Sequence, residues 1–479
     1  MAASKLRGWM AIAVATLALA TGLVVYSRRR PALGPPPAVA WAKRFGESGH
    51  NTQALAVAVD RAGNLAVAGW FLGTVDLGGG PVTSHGGGDI FLALYTSSGR
   101  HLWSKVFGGS EDDSANAVAI DGGGNVYLAG DFRAEAGFDG QRLRSAGESD
   151  LVVAKYAPDG AHLWSKRFGG PGEEHSQALS VDSVGNLLLA GTFFASVEVD
   201  GTALTSAGEN DILLAKLSRT GDVLWAKRYG GAGFDMLGAV ARGPHDEIVL
   251  AGEFDGVTAL GGAHLSAVAQ RDVFVARYTS DAEHVWSKHF GTAGLNHALA
   301  VAVDGAGGVL LTGTFDQGLD FGLGSLIAIG SSDAFIVKLS DRGLPAWVKR
   351  FGGTSSRHWR SMPGTYPTDS SGNALIVAPG GDVVCVGAFA GSGQLEGMEI
   401  DAAGPSAEEA FEDLVLAAYS GRGEPRWVLH FGSGSHTPVA AVRDPMGALL
   451  VVGHFQGALG GMFLPLSRGG GFVVKLVPR

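Results

Sequence analysis

A tryptophan returns about every 61 residues, at Trp41, Trp103, Trp164, Trp225, Trp286 and Trp347, and then at Trp427 after a gap of 80. The text around it repeats as well: WAKRFG at 41, WSKVFGG at 103, WSKRFGG at 164, WAKRYGG at 225 and WVKRFGG at 347. A fixed period over most of a chain marks a repeat architecture, in which each unit buries its apolar faces only by stacking on its neighbours. Seven copies occupy nearly the whole of the 479 residues.

Within one period the pattern is that of strands. Residues 115–121 (ANAVAID) and 125–132 (NVYLAGDF) are short apolar runs joined by three glycines, and 150–156 (DLVVAKY) and 162–168 (HLWSKRF) follow, joined by Ala-Pro-Asp-Gly. Four antiparallel strands, here called a to d, apolar on both faces and separated by turns, describe the blade of a β-propeller. No unit holds a useful 3.6-residue apolar period, which excludes helical solenoids. The expected fold is therefore all-β, a seven-bladed β-propeller.

The register is regular. Aspartate opens strand c fourteen residues before the tryptophan in six units, at Asp89, Asp150, Asp211, Asp272, Asp333 and Asp413. Strand b ends in Gly-x-Phe in all seven, at Phe71, Phe132, Phe193, Phe254, Phe315, Phe389 and Phe455. The glycine is expected to let neighbouring sheets approach, and the phenylalanine to fill the space between blades. A buried tryptophan would contribute roughly 4–6 kcal/mol gross, from about 150–250 Å² at about 25 cal/mol per Å². Residues 41–45 read as a lone strand d and residues 472–476 as a strand c with no d after it. The first strand is thus predicted to complete the last blade and close the ring.

Composition narrows the function classes. Glycine accounts for 76 residues and charged side chains for only 17%, as in a chain of turns and buried strands. Net charge is −10, and residues 1–40 hold five basic residues and no acid, which leaves −15 on the rest. An acidic body argues against nucleic acid as a partner. Cys385 is the only cysteine, so neither an intrachain disulfide nor a cysteine-based zinc cluster is expected. Residues 8–27 (GWMAIAVATLALATGLVVYS) are uncharged and mostly apolar, long enough to cross a bilayer core as a helix. Residues 1–30 are expected to be a membrane anchor or a signal segment, and the apolar run past Ala18-Leu19-Ala20 favours an anchor. Lys5 and Arg7 before it and three arginines after it leave the orientation open. Residues 31–40 form a Pro-rich linker and residues 41–479 the propeller.

The stretch FGGSEDDSANAVAIDGGGNVYLAGDF at 107–132 looks like the bacterial seven-bladed β-propeller repeat called SBBP, whose units read roughly GGSxxDxxxxIAVDxxGNxYVxGxF. Further matches begin at Phe45, Phe168, Tyr229, Phe290, Phe351 and Phe431, so the resemblance spans residues 41–479. It implies an exported or cell-surface bacterial protein without an established catalytic site, and hence an extracytoplasmic propeller in the envelope. The c–d hairpins, as in PDGAHLWSK at 158 and RTGDVLWAK at 219, also resemble the tryptophan-docking hairpin of quinoprotein propellers. Those usually have eight blades and often adjacent cysteines, which one cysteine cannot supply, so no quinone enzyme is expected.

The recurring polar residues have structural explanations beside functional ones. The strand-c aspartates are expected to cap backbone N–H groups in the preceding loop. The turns Asp60-Arg-Ala-Gly-Asn64, Asp121-Gly-Gly-Gly-Asn125 and Asp182-Ser-Val-Gly-Asn186 resemble calcium loops but lack an EF-hand's glutamate and spacing. No cofactor is expected, with calcium as the alternative. Lys43, Lys105, Lys166, Lys227, Lys288 and Lys349 lie on outermost strands, either as charged edges that prevent aggregation or as a belt for anionic lipid or polysaccharide. Glu111, Asp112, Asp113, Glu173, Glu174, His175, Asp235 and His297, with Asp131, Glu253 and His454, fall on one face, as a solvated acidic rim or a site for a cation or polar glycan. No Gly-x-Ser-x-Gly, His-Glu-x-x-His or phosphate loop occurs.

The repeat is broken in blade six. From Phe351 to the turn position Ala378 is 27 residues instead of about 14, and from Gly387 to Asp413 is 26 instead of 20. One enlarged loop holds Arg357, His358, Trp359, Arg360 and Tyr366; the other holds Glu396, Glu399, Asp401, Glu408 and Glu409. Aromatics and arginine are enriched at binding hot spots, and loops on a rigid scaffold carry its function. These loops are the expected binding site for a protein or glycan partner, with mutual pairing of the two loops as the alternative. A second class of function is an envelope enzyme of polysaccharide lyase or hydrolase type. A His and a carboxylate within hydrogen-bond reach at the top of the channel would favour it, and a channel lined by Gly, Ala and Val would count against it.

Overall fold

The computed structural model describes residues 35–46, 52–354, 370–401, 412–431, 434–457 and 470–479. Seven four-stranded antiparallel blades follow one another, the first continued in its sheet by the b–c hairpin of the second. Blade 1 comprises Thr52–Val59, Leu65–Phe71, Asp89–Tyr95 and His101–Gly109, and blade 2 comprises Ser114–Ile120, Val126–Phe132, Asp150–Tyr156 and His162–Phe168. Blade 7 takes strands a to c from Gly434–Arg443, Leu449–Gly457 and Gly470–Val477, and strand d from Ala38–Phe45. In that last pair Trp41 lies opposite Lys475 and Phe45 opposite Gly471, so the ring of seven closes as expected. Strands a of successive blades contact one another right round the ring, including those of blades 7 and 1. Among the described residues there is no helix and hence none able to cross a membrane; residues 8–27 lie outside them.

Strands b and c, buried almost throughout, build the hydrophobic layers between neighbouring sheets, and the strand-b phenylalanines belong to those layers. Phe132 packs with Ile90, Leu92 and Leu94 of blade 1. The glycine of Gly-x-Phe, by contrast, serves its own blade. Every strand a slips register by one residue opposite it, at Ala54/Ala56 in blade 1 and Gly372/Ala374 in blade 6. The bulge turns a carbonyl toward strand b, and a Cβ on Gly69 would overlap the oxygen of Gln53. The expectation of close approach between sheets is therefore corrected: glycine makes room for a β-bulge inside the sheet, which sharpens its twist.

The b–c connections hold an element absent from the sequence reading, a short hairpin, as at Glu135–Phe138 with Gln141–Arg144 and Ser392–Leu395 with Met398–Asp401. Each leans on the preceding blade. Ala136 pairs with Gly109, and Gly353 with Gly393. This explains the doubled glycine of the FGG signature. A Cβ on Gly169, the first glycine, would overlap the Asp150 carboxylate, and one on Gly170, the second, the carbonyl of Ser196 in the next hairpin.

The periodic tryptophans are half-buried on the outer strands, not enclosed, so the gross value expected from full burial is too large. Trp41, Trp103, Trp164, Trp286 and Trp347 reach into the c–d turn of the following blade. Trp103 Nε1 donates to the Pro158 carbonyl at 2.9 Å, Trp286 to Asp341 at 2.9 Å and Trp347 to Gly421 at 3.2 Å. A basic residue of strand c joins it at the same carbonyl: Lys338 Nζ lies 3.0 Å from Gly421 O, and Lys475 lies 3.0 Å from Ser97 O, which Trp41 also reaches. These amines also hold turn aspartates, with Lys338 2.8 Å from Asp304 and Lys475 2.8 Å from Asp444.

Candidate functional site

The d–a turns and b–c loops emerge at one end of the ring. There a residue at or within two positions of the start of strand a is polar and buried in every blade: Thr52, Asp113, Glu174, Asp235, Asn296, Ser370 and His436. The carboxylates among them accept turn N–H groups, from Gly109 to Asp113 at 2.9 Å, Gly170 to Glu174 at 2.8 Å and Gly231 to Asp235 at 2.7 Å. Burial pushes Asp113 and Glu174 up to about 7 and Asp235 up to about 6, and the facing charges of Asp89, Asp150 and Asp211 act the same way. The expected solvated rim is corrected at these positions, which are interior.

The strand-c aspartates cap loop N–H groups as expected. Asp211 accepts from Ala207 N at 3.0 Å and Asp333 from Ile329 N at 3.0 Å. Asp211 also pairs with Arg228 of strand d, Asp333 with Arg350, and Asp272 with the His289 ring at 2.7 Å. The outer lysines are more than free edge charges. Lys105 meets Asp139 at 2.6 Å, Lys166 meets Asp200 at 3.5 Å and Lys349 meets Glu396 at 3.3 Å, each across a blade junction. In the calcium-like turn of blade 2, Asp121 accepts from Gly123 N and Asn125 N, and from Asn125 Nδ2 at 2.8 Å. Among the described residues no three His, Cys, Asp or Glu side chains are grouped to hold a metal ion.

Several His/carboxylate pairs stand at the same end, and two of them involve the x residue of Gly-x-Phe, His297 with Glu253 and His175 with Asp131. His297 is buried against Glu253, which also holds Arg271 at 2.9 Å; burial pushes His297 down to about 4. His175 differs, because its side chain is 46% exposed and 3.2 Å from Asp131. The hydrogen bond its ring makes to the Asp131 carboxylate raises its pKa. Asp131 is otherwise engaged by Ser176 N, Ser176 Oγ and, at 2.8 Å, Asn116 Nδ2.

Beside His175 a cleft of about 260 Å³ opens between blades 1 and 2, lined by Trp70, Gly88, Asp112, Asp113, Ser114, Asp131, Phe132, Arg133, Ser149 and His175. The sequence had placed Asp112, Asp113, Asp131 and His175 on one face, and the structure brings them to one cleft. Trp70 and Arg133 were missed. Trp70 takes the strand-b place held by Asp131 in blade 2 and Glu253 in blade 4, and that break in the series was the available signal. A larger cavity of about 500 Å³ lies on the opposite face among a–b and c–d turns, including Asp60, Arg61, Asp121, Lys155, Asp182, Arg219 and Arg242.

Of the residues expected in the blade-six site, Arg357, His358, Trp359, Arg360 and Tyr366, with Glu408 and Glu409, lie outside the described residues. Glu396 sits in the hairpin turn with φ 51°, the place of Asp139 and Asp200 in blades 2 and 3, and its partner is Lys349. Glu399 is exposed on the hairpin, and Asp401 ends it opposite Ser392.

No family model matches the chain. It is similar to an uncharacterised WD repeat-containing protein of Acanthamoeba polyphaga mimivirus, 27% identical over 460 residues that cover 76% of this chain and 32% of that protein. It is also similar to the regulatory protein FlaEY of Caulobacter vibrioides, 26% identical over 174 residues, 34% of this chain and 18% of that protein. The chain thus spans about a third or less of these relatives. Among solved structures, Sqt1 from Chaetomium thermophilum is 12% identical, with 92% of this chain and 99% of that one covered and a TM-score of 0.44. An ulvan lyase is also 12% identical, with 88% and 91% covered and a TM-score of 0.44.

Proposed function

We propose that this chain is a non-catalytic, membrane-tethered β-propeller of the SBBP type that recognises protein or glycan in a bacterial envelope through the face bearing its d–a turns and b–c loops. The observation that carries the reading is the repetition of blade-to-blade bonds around the ring: they spend the recurring Trp, Lys and Asp side chains on rigidity. The departures from the repeat fall, in sequence, in d–a and b–c connections at the blade-six insertions and at Trp70 of Gly-x-Phe, and irregular loops on a rigid frame are where recognition resides. Similarity to a WD repeat-containing protein accords with a scaffold, and the apolar residues 8–27 with a tether. The test is a pull-down from envelope extract together with a glycan array, comparing the full chain with a version lacking residues 354–366. A fall of at least tenfold in capture is expected, and unchanged capture removes the blade-six loops from the site.

A second reading rests on the His175–Asp131 pair at the mouth of the cleft. A half-exposed imidazole oriented by a carboxylate suits proton transfer in a polysaccharide lyase or hydrolase. Release of reducing or unsaturated ends from envelope polysaccharides, abolished by His175→Gln, would establish it.

A further inference from the structure

We propose that the cleft between blades 1 and 2 binds a single neutral hexopyranose residue of a glycan, which stacks on Trp70 and hydrogen-bonds through its hydroxyls to Asp112 and Arg133. This rests on the scaffold reading above and names a ligand class for its face. Unlike the periodic tryptophans, Trp70 joins no two blades: among the described residues its indole N–H has no partner, and its ring is partly exposed in the cleft. Gly88 keeps that ring uncovered, since a Cβ there would lie 3.0 Å from Trp70 Cε3. A pyranose presents an apolar C–H face and a polar hydroxyl edge, so it fits an aromatic wall bordered by planar charged groups.

The polar edge is of the right kind. Asp112 is exposed; its Oδ1 is fixed by the Gly88 N–H at 2.8 Å and, among the described residues, its Oδ2 has no partner. Arg133 spends one nitrogen on Glu173 at 2.9 Å, which leaves other N–H donors of its guanidinium. Asp113 and Asp131 have their oxygens occupied by backbone and side-chain donors, so the group offers a cation one free carboxylate oxygen and not a shell. With Asp112, Asp131 and Glu173, the last 2.9 Å from Arg133 and 3.7 Å from His175, outnumbering Arg133 and His175, an anionic sugar is repelled and a neutral one is not. A volume of about 260 Å³ lies just below the common range of ligand pockets, about 300–1,000 Å³, which limits the site to one ring.

The test is titration of the full chain with methyl glucoside, methyl galactoside, methyl mannoside and N-acetylglucosamine, with glucuronic acid as the anionic comparator, followed by calorimetry and tryptophan fluorescence. Saturable binding of at least one neutral sugar is expected, at least tenfold tighter than glucuronic acid. Trp70→Ala should weaken it at least tenfold, Trp70→Phe should retain most of it, and Asp112→Asn should weaken it several-fold, all with unchanged thermal unfolding. Absence of saturable binding by every neutral sugar, or wild-type binding by Trp70→Ala, overturns the proposal. Partner capture that depends on residues 354–366 would then leave the scaffold reading standing, and sugar binding that survives their removal upholds the cleft alone.

Discussion

Trp103 and Trp286 each rest on a turn glycine of the next blade, Gly160 with φ +87° and Gly343 with φ +73°, where a Cβ would lie 3.0–3.1 Å from the indole. Trp225 meets Ala282 in that place, held at φ 58°, and among the described residues its buried indole N–H has no partner. The two situations predict opposite outcomes for one substitution. Trp103→Phe removes a made hydrogen bond and should cost about 1 kcal/mol, whereas Trp225→Phe removes an unmet donor and should be neutral or stabilising. Ala282→Gly, which relieves a left-handed alanine, should gain about 0.5–1 kcal/mol. Denaturant midpoints of the single variants check all of these. The tryptophan period was legible because its spacing is fixed; its bond was not, because the acceptor lies 55 residues ahead and a half-exposed ring looks the same in sequence as a buried one. Lys338 was unreadable for a like reason, being one charge in an apolar strand with its acceptor 83 residues on.

Turns between strands show which elements sequence can and cannot specify. Strand c of blade 2 was read with the bounds it has, Asp150–Tyr156, because an aspartate opens it and an Asp-Gly turn closes it. Hairpins such as Thr74–Asp76 with Pro81–Thr83 escaped because three residues are too few to show alternation, and their partner is the preceding blade. The acidic residues of the d–a turns are visible in the sequence but their burial is not, since the b–c hairpin of the next blade pairs over the turn, as Ala136 does with Gly109. At the blade 3–4 junction Asp211 and Asp235 flank Gly230, and burial raises Asp235 from 3.8 to about 6. A raised carboxyl makes the folded state hold more protons than the unfolded chain between these values, so its contribution is full below about pH 4 and is lost as pH rises toward 6. Asp235→Asn should therefore gain on wild type by on the order of 2–3 kcal/mol between pH 4 and pH 7, at about 1.4 kcal/mol per unit. A difference that stays flat across that range would show the carboxyl to be ionised throughout.

At the scale of the molecule, seven sheets that each bury their faces only against neighbours gain rigidity from closure, and closure depends on one strand from the other end of the chain. The count of blades and the closing strand were legible, since both follow from where the period starts and stops. The binding face was legible only in part: Asp112, Asp131 and His175 drew attention as polar residues at loop ends, while Trp70 was absorbed into the Gly-x-Phe signature. A rigid ring that presents one irregular face requires that Ala38–Phe45 be as firmly held as the strands it joins, paired with Gly470–Val477 from Ala38↔Val477 to Phe45↔Gly471. Amide hydrogen exchange on the intact chain measures this directly. The account predicts that the amides of residues 38–45 engaged in that pairing exchange as slowly as those of residues 449–457 in the interior of the same blade; exchange at the rate of an open strand edge would contradict it.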